Sequence, residues 1–374
     1  MNLQADEKFM QEALALARNA EGRTSPNPMV GAVIVRDGHV IAGGWHRKAG
    51  TPHAEVHALK MAGNLAEGAT LYVTLEPCAH YGRTGPCAKA VAAAGIKRVV
   101  IAMQDPNPLV AGKGIKILKA AGVEVKCGVL EKDAIALNEV FLKWITTRLP
   151  FVVLKTAMSL DGKIATVTGK SQWITNELAR MRGHEYRDRY DSIMVGIGTV
   201  LKDNPSLTTR LKDRQGKNPI RIVLDSLART PLTANVVADK KARTIIAVTS
   251  AAPRQRVEAL AKAGAEILVA GSDNKVNIAE LMQKLGKLEI CSILVEGGGQ
   301  VNFSLLQAGM VDKVHAFIAP KLIGGQNAIT PVEGAGFSEL NAAVELERVS
   351  TEMLADNILV TGYVKGDAFV YRNN

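Results

Sequence analysis

Aromatic residues make up only 4% of this 374-residue chain, and no block of like charge occurs although the net charge is +10. A groove for single-stranded nucleic acid needs aromatic platforms and concentrated basic charge, so both shortages count against that class. The positive excess divides evenly between the two halves of the chain and fits an anionic small molecule, such as a phosphate ester, at least as well. There are only four cysteines, too few for a disulfide framework, which suits a reducing compartment and a cytoplasmic location. No apolar run approaches the length of a membrane span. Residues 1–19 read as an amphipathic helix, not as a charged segment followed by an apolar signal core. Internal repeats and low-complexity stretches are missing as well. With 47% hydrophobic and 22% charged residues the composition is that of an ordinary globular protein, and the length predicts two to three domains.

Against that background one stretch carries specific chemistry. His53-Ala54-Glu55 opens an expected helix, and Glu76-Pro77-Cys78 ends an expected strand before a further cysteine at Cys87. One imidazole and two thiolates make three protein ligands for a tetrahedral zinc and leave the fourth position for water, as a catalytic site requires. Zinc lowers the pKa of a bound water towards neutrality, and Glu55, a carboxylate that is not a ligand, would shuttle a proton to a departing amine. This is the deaminase pattern H-x-E followed by P-C-x-x-C, except that residues 79–86 separate the cysteines where two residues are usual. Gly82, Gly85 and Pro86 mark that insert as a loop. A zinc protease helix also carries two histidines four apart, as His53 and His57 are, but its glutamate directly follows the first histidine, and here that position is Ala54. His57 is read as packing or as support behind the ligands. Cys127 and Cys291, at the edges of apolar runs, are expected to be buried.

In chain order, Asp6 is a candidate cap for a helix whose apolar positions Phe9, Met10, Ala13, Leu14 and Ala17 recur at helical spacing. Residues 29–35 and 40–45 read as a hairpin across Asp37-Gly38. Thr51-Pro52 offers a cap and a first-turn proline, placing His53 and Glu55 in the first turn of the next helix. Strands are expected over 69–75, 98–103 and 123–127. A helix starting at 84–86 puts Cys87 in its first turn, where backbone amides depress a thiol pKa. A helix to Ala121 and another over 133–147 complete the first part, and Pro150 marks the boundary. Beyond it come a strand at 151–155, a helix over 175–190 and strands at 192–195, 220–224, 244–248, 266–270 and 292–295. Such alternation indicates α/β layers with their sites at the strands' carboxyl ends.

Ile293 to Gly299 runs an apolar strand into three glycines, followed by a helix from about Val301. A phosphate-binding turn and a plain tight turn both fit this pattern. Gly196-Ile197-Gly198 also follows a strand, but Leu201 stands where the dinucleotide fingerprint needs its third glycine, so a standard Rossmann domain is disfavoured.

Ser25-Pro26-Asn27-Pro28-Met29-Val30-Gly31, Gly44-Trp45-His46, His53-Ala54-Glu55, Glu76-Pro77-Cys78, Gly85-Pro86-Cys87 and Asp105-Pro106-Asn107-Pro108 together resemble the deaminase half of the bifunctional riboflavin-biosynthesis deaminase-reductases, where the long cysteine spacing is usual. Lys155-Thr156-Ala157-Met158-Ser159-Leu160-Asp161-Gly162 and Val295-Glu296-Gly297-Gly298 resemble their reductase half, in the same order and over nearly the whole chain. The resemblance implies an α/β chain of two domains. Residues 1–147 would form a cytidine-deaminase-like three-layer α/β/α domain, and residues 148–374 a dihydrofolate-reductase-like α/β domain. It also implies hydrolytic exchange of the ring amine of a diaminopyrimidinone ribosylamine phosphate for oxygen, then NADPH-dependent reduction of the ribosyl group to ribityl. His53, Cys78 and Cys87 would bind one zinc ion, Glu55 would be catalytic, and Asn27, His46 and Asp105 would hold the pyrimidine or its ribose. NADPH would meet Ala157, Trp173, Thr199, Asp203, Ser226 and the stretch Gly298, Gly299, Gln300, Val301, Asn302, Phe303 and Ser304. Ser171, Arg187, Leu207, Arg210 and Glu296 would meet the substrate, with the two arginines as forks for its phosphate. Lys155 or Asp203 would assist ring opening, and the assembly would be a homodimer or homotetramer.

The alternative is a tRNA-type nucleic-acid deaminase with an accessory domain, which tight and steeply salt-dependent RNA binding would reveal. A purely structural zinc, with His57 or His80 as fourth ligand, is the other rival. If the zinc is catalytic, Glu55→Gln abolishes ammonia release and preserves reduction of the deaminated intermediate. If it is structural, neither rate changes, and assaying the two activities side by side separates these outcomes.

Overall fold

The structure, a computed structural model, describes residues 3–79, 85–107 and 110–366. His80, Gly82, Thr84 and Pro108, singled out above, lie outside the described residues. The described chain divides into two compact units between Arg148 and Leu149.

The first unit runs α1 (Leu3–Arg18), β1 (Gly31–Arg36), β2 (His39–Trp45), α2 (Ala54–Ala62), β3 (Thr70–Leu75), α3 (Cys87–Ala93), β4 (Arg98–Met103), α4 (Lys113–Ala120), β5 (Glu124–Cys127), α5 (Glu131–Leu137) and α6 (Glu139–Thr147). Its sheet has the order β2-β1-β3-β4-β5, with β1 antiparallel to both neighbours and β3, β4 and β5 parallel. Asp37 and Gly38 both take positive φ at the β1–β2 turn, the geometry that matches strand twist in a tight hairpin. β3 is buried along its whole length because helices cover both faces, α1 and α5 on one side and α2, α3 and α4 on the other. Gly44 permits the close approach of α2: a Cβ there would lie 2.7 Å from the Ala54 carbonyl oxygen and 2.8 Å from the Ala58 nitrogen of that helix. The missing side chain at Gly44 thus seats α2, whose cap is His53 and whose first turn holds Glu55.

Several expectations for this unit need correction. Asp6 does not cap α1. It lies within the first turn with its carboxylate turned inward, accepting from Tyr72 Oη (2.9 Å), Arg98 Nη1 and Nη2 (2.8 and 3.0 Å) and Lys126 Nζ (2.8 Å). α2 starts at Ala54 with His53 as its cap residue, so Thr51 and Pro52 precede the helix. The single helix expected over 133–147 is broken at Asn138, whose side chain accepts from Met29 N (2.8 Å) and donates to Met29 O (3.0 Å). Cys127 is exposed, because β5 forms the sheet's edge, whereas Cys291 is buried as expected.

The second unit runs β6 (Phe151–Ser159), α7 (Glu177–Arg189), β7 (Ser192–Gly196), α8 (Ile197–Asp203), β8 (Ile220–Leu224), α9 (Asn235–Ala238), β9 (Thr244–Val248), α10 (Arg254–Lys262), β10 (Glu266–Val269), α11 (Ile278–Lys287), β11 (Ser292–Gly297), α12 (Gly299–Gln307), β12 (Lys313–Ala319), β13 (Leu346–Leu354) and β14 (Asn357–Val364). The nine strands lie in the order β10-β9-β8-β7-β11-β6-β12-β14-β13, parallel from β10 through β12 and antiparallel in β14 and β13. Leu281, Leu285 and Leu305 of α11 and α12 pack with Leu154, Met194 and Ile293 on one face of the sheet. Val200, Val237 and Leu260 of α8, α9 and α10 pack with Ile193, Val223 and Ile246 on the other. Side chains alternate along a strand, so Lys155 and Glu296 project from the second face, beside neighbouring core positions on β6 and β11. No helix among the described residues is long and apolar enough to cross a membrane.

The Asp6 cluster ties α1 to β3, β4 and β5. Burial opposes ionisation of Asp6, but Arg98, Lys126 and the Tyr72 hydroxyl hold its carboxyl well below the usual carboxylate range. The unfolded chain binds this proton near pH 3.9, so the stabilisation is complete above about pH 4 and fades as the pH falls towards the folded value. Asp6→Ala strands the partner cations and is expected to destabilise the unit by ~3–5 kcal/mol at neutral pH. A urea series at several pH values should show a lower midpoint for the variant at pH 7, with the gap from wild type closing as the pH drops below about 4.

Candidate functional site

His53 caps α2 without a side-chain capping bond, Cys78 follows the end of β3, and Cys87 is the first residue of α3. These elements bring His53 Nδ1 to 3.6 Å from Cys78 Sγ and 3.3 Å from Cys87 Sγ. Tetrahedral zinc with ordinary Zn–N and Zn–S bond lengths would set nitrogen and sulfur about 3.6 Å apart, so the triangle has the size of one face of a zinc tetrahedron. All three donor atoms lie within 4.8 Å of one another. Cys78 Sγ also accepts the Cys87 backbone N–H at 3.3 Å. The Cys87 side chain donates to it as well, and with His53 this holds the Cys78 thiol down to about 4 against the effect of burial. Cys87, the donor in that pair and itself buried, is pushed up. A bound cation would displace the remaining proton, as thiolate ligation requires.

Glu55 is 3% exposed, and its Oε2 has no protein partner. Burial pushes its carboxyl up to about 7, with the neighbouring His53 pulling the other way. A buried carboxylate oxygen without a protein partner, beside three metal donors, fits a water shared between Glu55 and a cation. His57 does not join the cluster of donors; its Nε2 is buried and also unpartnered.

Two of the expected substrate contacts meet this centre. Asn27 Nδ2 lies 3.1 Å from His46 Nε2, and His46 Nδ1 lies 3.2 Å from the Pro52 carbonyl oxygen. A carbonyl only accepts, so Nδ1 carries the proton and Nε2 accepts from the Asn27 amide. Burial lowers the His46 pKa and keeps the ring neutral, and the ring meets that of His53 edge to face at 5.3 Å. Asn138, through its two bonds to Met29, fixes the loop that presents Asn27. Asp105 follows the end of β4, where its carboxylate accepts from Asn107 N (2.8 Å) and its own N–H reaches Glu76 Oε2 (3.4 Å). Glu76 also accepts from Gly112 N (2.9 Å) and Ile115 N (3.1 Å), binding the start of α4 to the end of β3. A Cβ at Gly114 would overlap the Pro77 carbonyl oxygen. Glu76, Gly114 and Asn138 had no assigned role in the sequence; Glu76 alone had a signal, as the first residue of the Glu-Pro-Cys motif.

In the second unit Glu296 is the centre. Its carboxylate takes Arg187 Nε at 2.6 Å and Nη2 at 2.9 Å, and Lys155 Nζ lies 3.6 Å away. Burial opposes ionisation, but Arg187 and Lys155 hold the Glu296 carboxyl down to about 2. Arg187 Nη1 donates to the Thr208 carbonyl at 3.0 Å. The fork of Arg187, expected to meet a phosphate, is thus engaged by a buried carboxylate, whereas Arg210 is exposed. Leu207 is buried at φ +50, next to Thr208. His184, not singled out in the sequence, accepts the Arg210 backbone N–H through Nδ1 at 3.3 Å.

The expected cofactor contacts are more dispersed. α12 begins at Gly299, so Gly299 to Ser304 are helical and not loop, and Val301, Asn302 and Phe303 are buried within the unit. Asn302 donates to the Pro331 carbonyl at 2.7 Å. A Cβ at Gly297 would meet Thr199 Oγ1 at 2.9 Å, so packing between chain segments accounts for that glycine. Gly298 takes φ +83 with nothing closer than 3.8 Å to its Cβ position, whereas at Gly299, the first residue of α12, a Cβ would lie 2.4 Å from the Glu333 side chain. Ala157 lies two positions beyond Lys155 on the same face of β6, Asp203 ends α8 exposed, and Ser226 follows β8 with its hydroxyl accepting from Val276 N at 3.2 Å. Ser171 and Trp173 lie between β6 and α7. The Trp173 ring is exposed beneath the Arg180 guanidinium at 4.6 Å, and its carbonyl accepts from Lys321 Nζ at 2.8 Å.

Residues 3–103 match the cytidine and deoxycytidylate deaminase zinc-binding region, and residues 150–360 match the RibD C-terminal domain. The riboflavin biosynthesis protein RibD of Actinobacillus pleuropneumoniae is 47% identical over 357 residues, covering 95% of this chain and 94% of that protein. The chain belongs to the RibD family. A solved structure of Acinetobacter baumannii RibD is similar with a TM-score of 0.88 and 39% identity, covering 97% of this chain and 99% of that one. A Thermotoga maritima structure, described as a diaminohydroxyphosphoribosylaminopyrimidine deaminase/5-amino-6-(5-phosphoribosylamino)uracil reductase, is similar with a TM-score of 0.84 and 38% identity, over 97% and 99% of the two chains. As a RibD-family member the chain is a bifunctional enzyme of riboflavin biosynthesis, a deaminase with a zinc-binding region followed by a reductase. The nucleic-acid deaminase alternative is not favoured.

Gly114→Ala tests the geometry behind Cys78. The added methyl must displace either Pro77-Cys78 or the start of α4, and zinc retention against a chelator is expected to weaken at least about tenfold. Metal analysis alongside a reductase assay reads this out, and reduction should persist because it belongs to the other unit.

Proposed function

We propose that the first unit deaminates 2,5-diamino-6-ribosylamino-4(3H)-pyrimidinone 5′-phosphate by hydrolysis, and that the second reduces the ribosyl group of the product to give 5-amino-6-ribitylaminouracil 5′-phosphate. The observation that carries this reading is the His53–Cys78–Cys87 triangle with the unpartnered Glu55 oxygen beside it. The Thermotoga protein, similar over nearly the whole chain, bears a description that names the same pair of activities.

His53, Cys78 and Cys87 would hold one zinc ion, which would supply Lewis acidity and a water of lowered pKa when bound. Glu55, buried beside these donors, would hold the proton that is passed to the departing ring amine. Its burial suits this role, because a carboxyl poised near neutrality can accept a proton and release it again. Oxygen enters the ring carbon, ammonia leaves, and no electrons are exchanged. Asn27 and the neutral His46 orient the pyrimidine from one side, and the turn at Asp105 receives the ribose.

In the second unit NADPH supplies the hydride. Gly298 and the first residues of α12 would hold the cofactor. Reduction would break the C1′–O4′ bond of the ribose, place a proton on O4′ and leave C1′ carrying the added hydride. Lys155, which lies beside Glu296 on the face shared with Ala157, would give that proton. Arg210 meets the 5′-phosphate.

The direct test incubates zinc-replete protein with the diaminopyrimidinone ribosylamine phosphate, with and without NADPH, and follows product mass and ammonia. Amine-for-oxygen exchange without NADPH, and hydride uptake only with it, is the expected result. Absence of ammonia overturns the deaminase assignment, and ammonia without any NADPH consumption overturns the reductase one.

A further inference from the structure

Two side chains on one face of α7 grip the same loop. Arg187 Nη1 donates to the carbonyl of Thr208 at 3.0 Å, and His184 Nδ1 accepts the backbone N–H of Arg210 at 3.3 Å. Residues three apart on a helix face the same way, so the pair works as a donor and an acceptor aimed at alternate residues of one segment. That segment starts from Leu207, which is buried in a left-handed conformation. Arg187 is itself locked by both oxygens of Glu296, so its end of the grip is anchored to β11. The His184 end works only if Nδ1 offers a lone pair. Burial and the neighbouring guanidinium groups of Arg187 and Arg210 hold the His184 ring down to about 4, which keeps it neutral and puts its single proton on Nε2.

We propose that His184 is a positioning residue of the reductase half: by fixing the backbone of Arg210 through Nδ1, it aims the Arg210 guanidinium at the phosphate of the substrate. This rests on the reading of Arg210 as a substrate contact. The need for such a device follows from the occupied fork of Arg187, which leaves phosphate recognition to the exposed Arg210. Ordering a side chain of that kind on binding is unfavourable, and a Cα held in advance reduces the loss.

Three variants test the proposal: His184→Leu, which removes the acceptor; His184→Asn, which keeps a side-chain carbonyl; and Arg210→Ala. Reductase kcat and KM are measured with the deaminated intermediate, NADPH binding by fluorescence titration, and ammonia release as a check on the other unit. His184→Leu is expected to raise KM about tenfold with kcat changed less than about threefold, the loss of one hydrogen bond that orders the Arg210 backbone. NADPH affinity and ammonia release should stay at the wild-type level, and His184→Asn should recover most of the KM. In the Arg210→Ala background His184→Leu should have no further effect on KM, since the two act through one contact. A wild-type KM in His184→Leu, when Arg210→Ala raises KM, overturns the role of His184. An unchanged KM in Arg210→Ala overturns the reading of Arg210 on which the proposal stands. Joint loss of kcat and NADPH affinity in His184→Leu, with no rescue by asparagine, marks a merely structural residue and also overturns it.

Discussion

A buried carboxylate at the carboxyl end of a central parallel strand holds each unit's site together. Such a group stays ionised away from water only if its oxygens are engaged, and removing a partner costs several kcal/mol. Its partners are therefore held wherever it is. Glu76, just past β3, collects backbone N–H groups from Asp105, Gly112 and Ile115, and so fixes the turn that closes under Pro77-Cys78. Glu296, near the end of β11, collects Arg187 and Lys155 and so seats α7, and through α7 the loop from Leu207 to Arg210. The open ends of parallel strands offer space for ligands, and these carboxylates give that space fixed walls.

The carboxylates that matter here differ in company more than in burial. Glu296 is surrounded by cations and stays ionised, so it acts as an anchor. Glu55 is as deeply buried but has an oxygen with no protein partner, and desolvation carries its carboxyl towards neutrality. Environments that push like groups apart in this way separate structural acids from proton carriers. Asp6 belongs with Glu296, bound by Arg98 and Lys126 and given to stability.

The candidate metal donors were legible in the sequence because they are chemically rare types in a fixed order, and the structure brings His53, Cys78 and Cys87 within 4.8 Å of one another. β4, β8 and β9 were also plain, since strands covered on both faces read as short continuous apolar runs. What stayed hidden depends on partners distant in the chain. Asp6 has the composition of a cap, and only Arg98 and Lys126, far along the sequence, turn it inward. Asn138 breaks a periodic helical pattern because Met29 needs both of its amide atoms. Arg187 has the look of a phosphate fork until Glu296 is placed against it. Gly44 and Gly114 are ordinary glycines in the sequence and become necessary only where α2 and Pro77 pass over them. Cys127 sits in an apolar run whose strand turned out to be an edge.

The engagement of Arg187 by Glu296 has a consequence for how the second unit would sense its surroundings. A guanidinium enclosed with its counter-charge is little affected by dissolved ions, whereas one at the water's edge is screened over a Debye length of about 8 Å at physiological ionic strength. With Arg210 as the exposed member of the pair, capture of a phosphorylated sugar there would weaken as potassium or sodium salts accumulate. Proton transfer by the enclosed Glu55 would be far less sensitive, so osmotic conditions in the cell could slow one half-reaction relative to the other and let the deaminated intermediate build up.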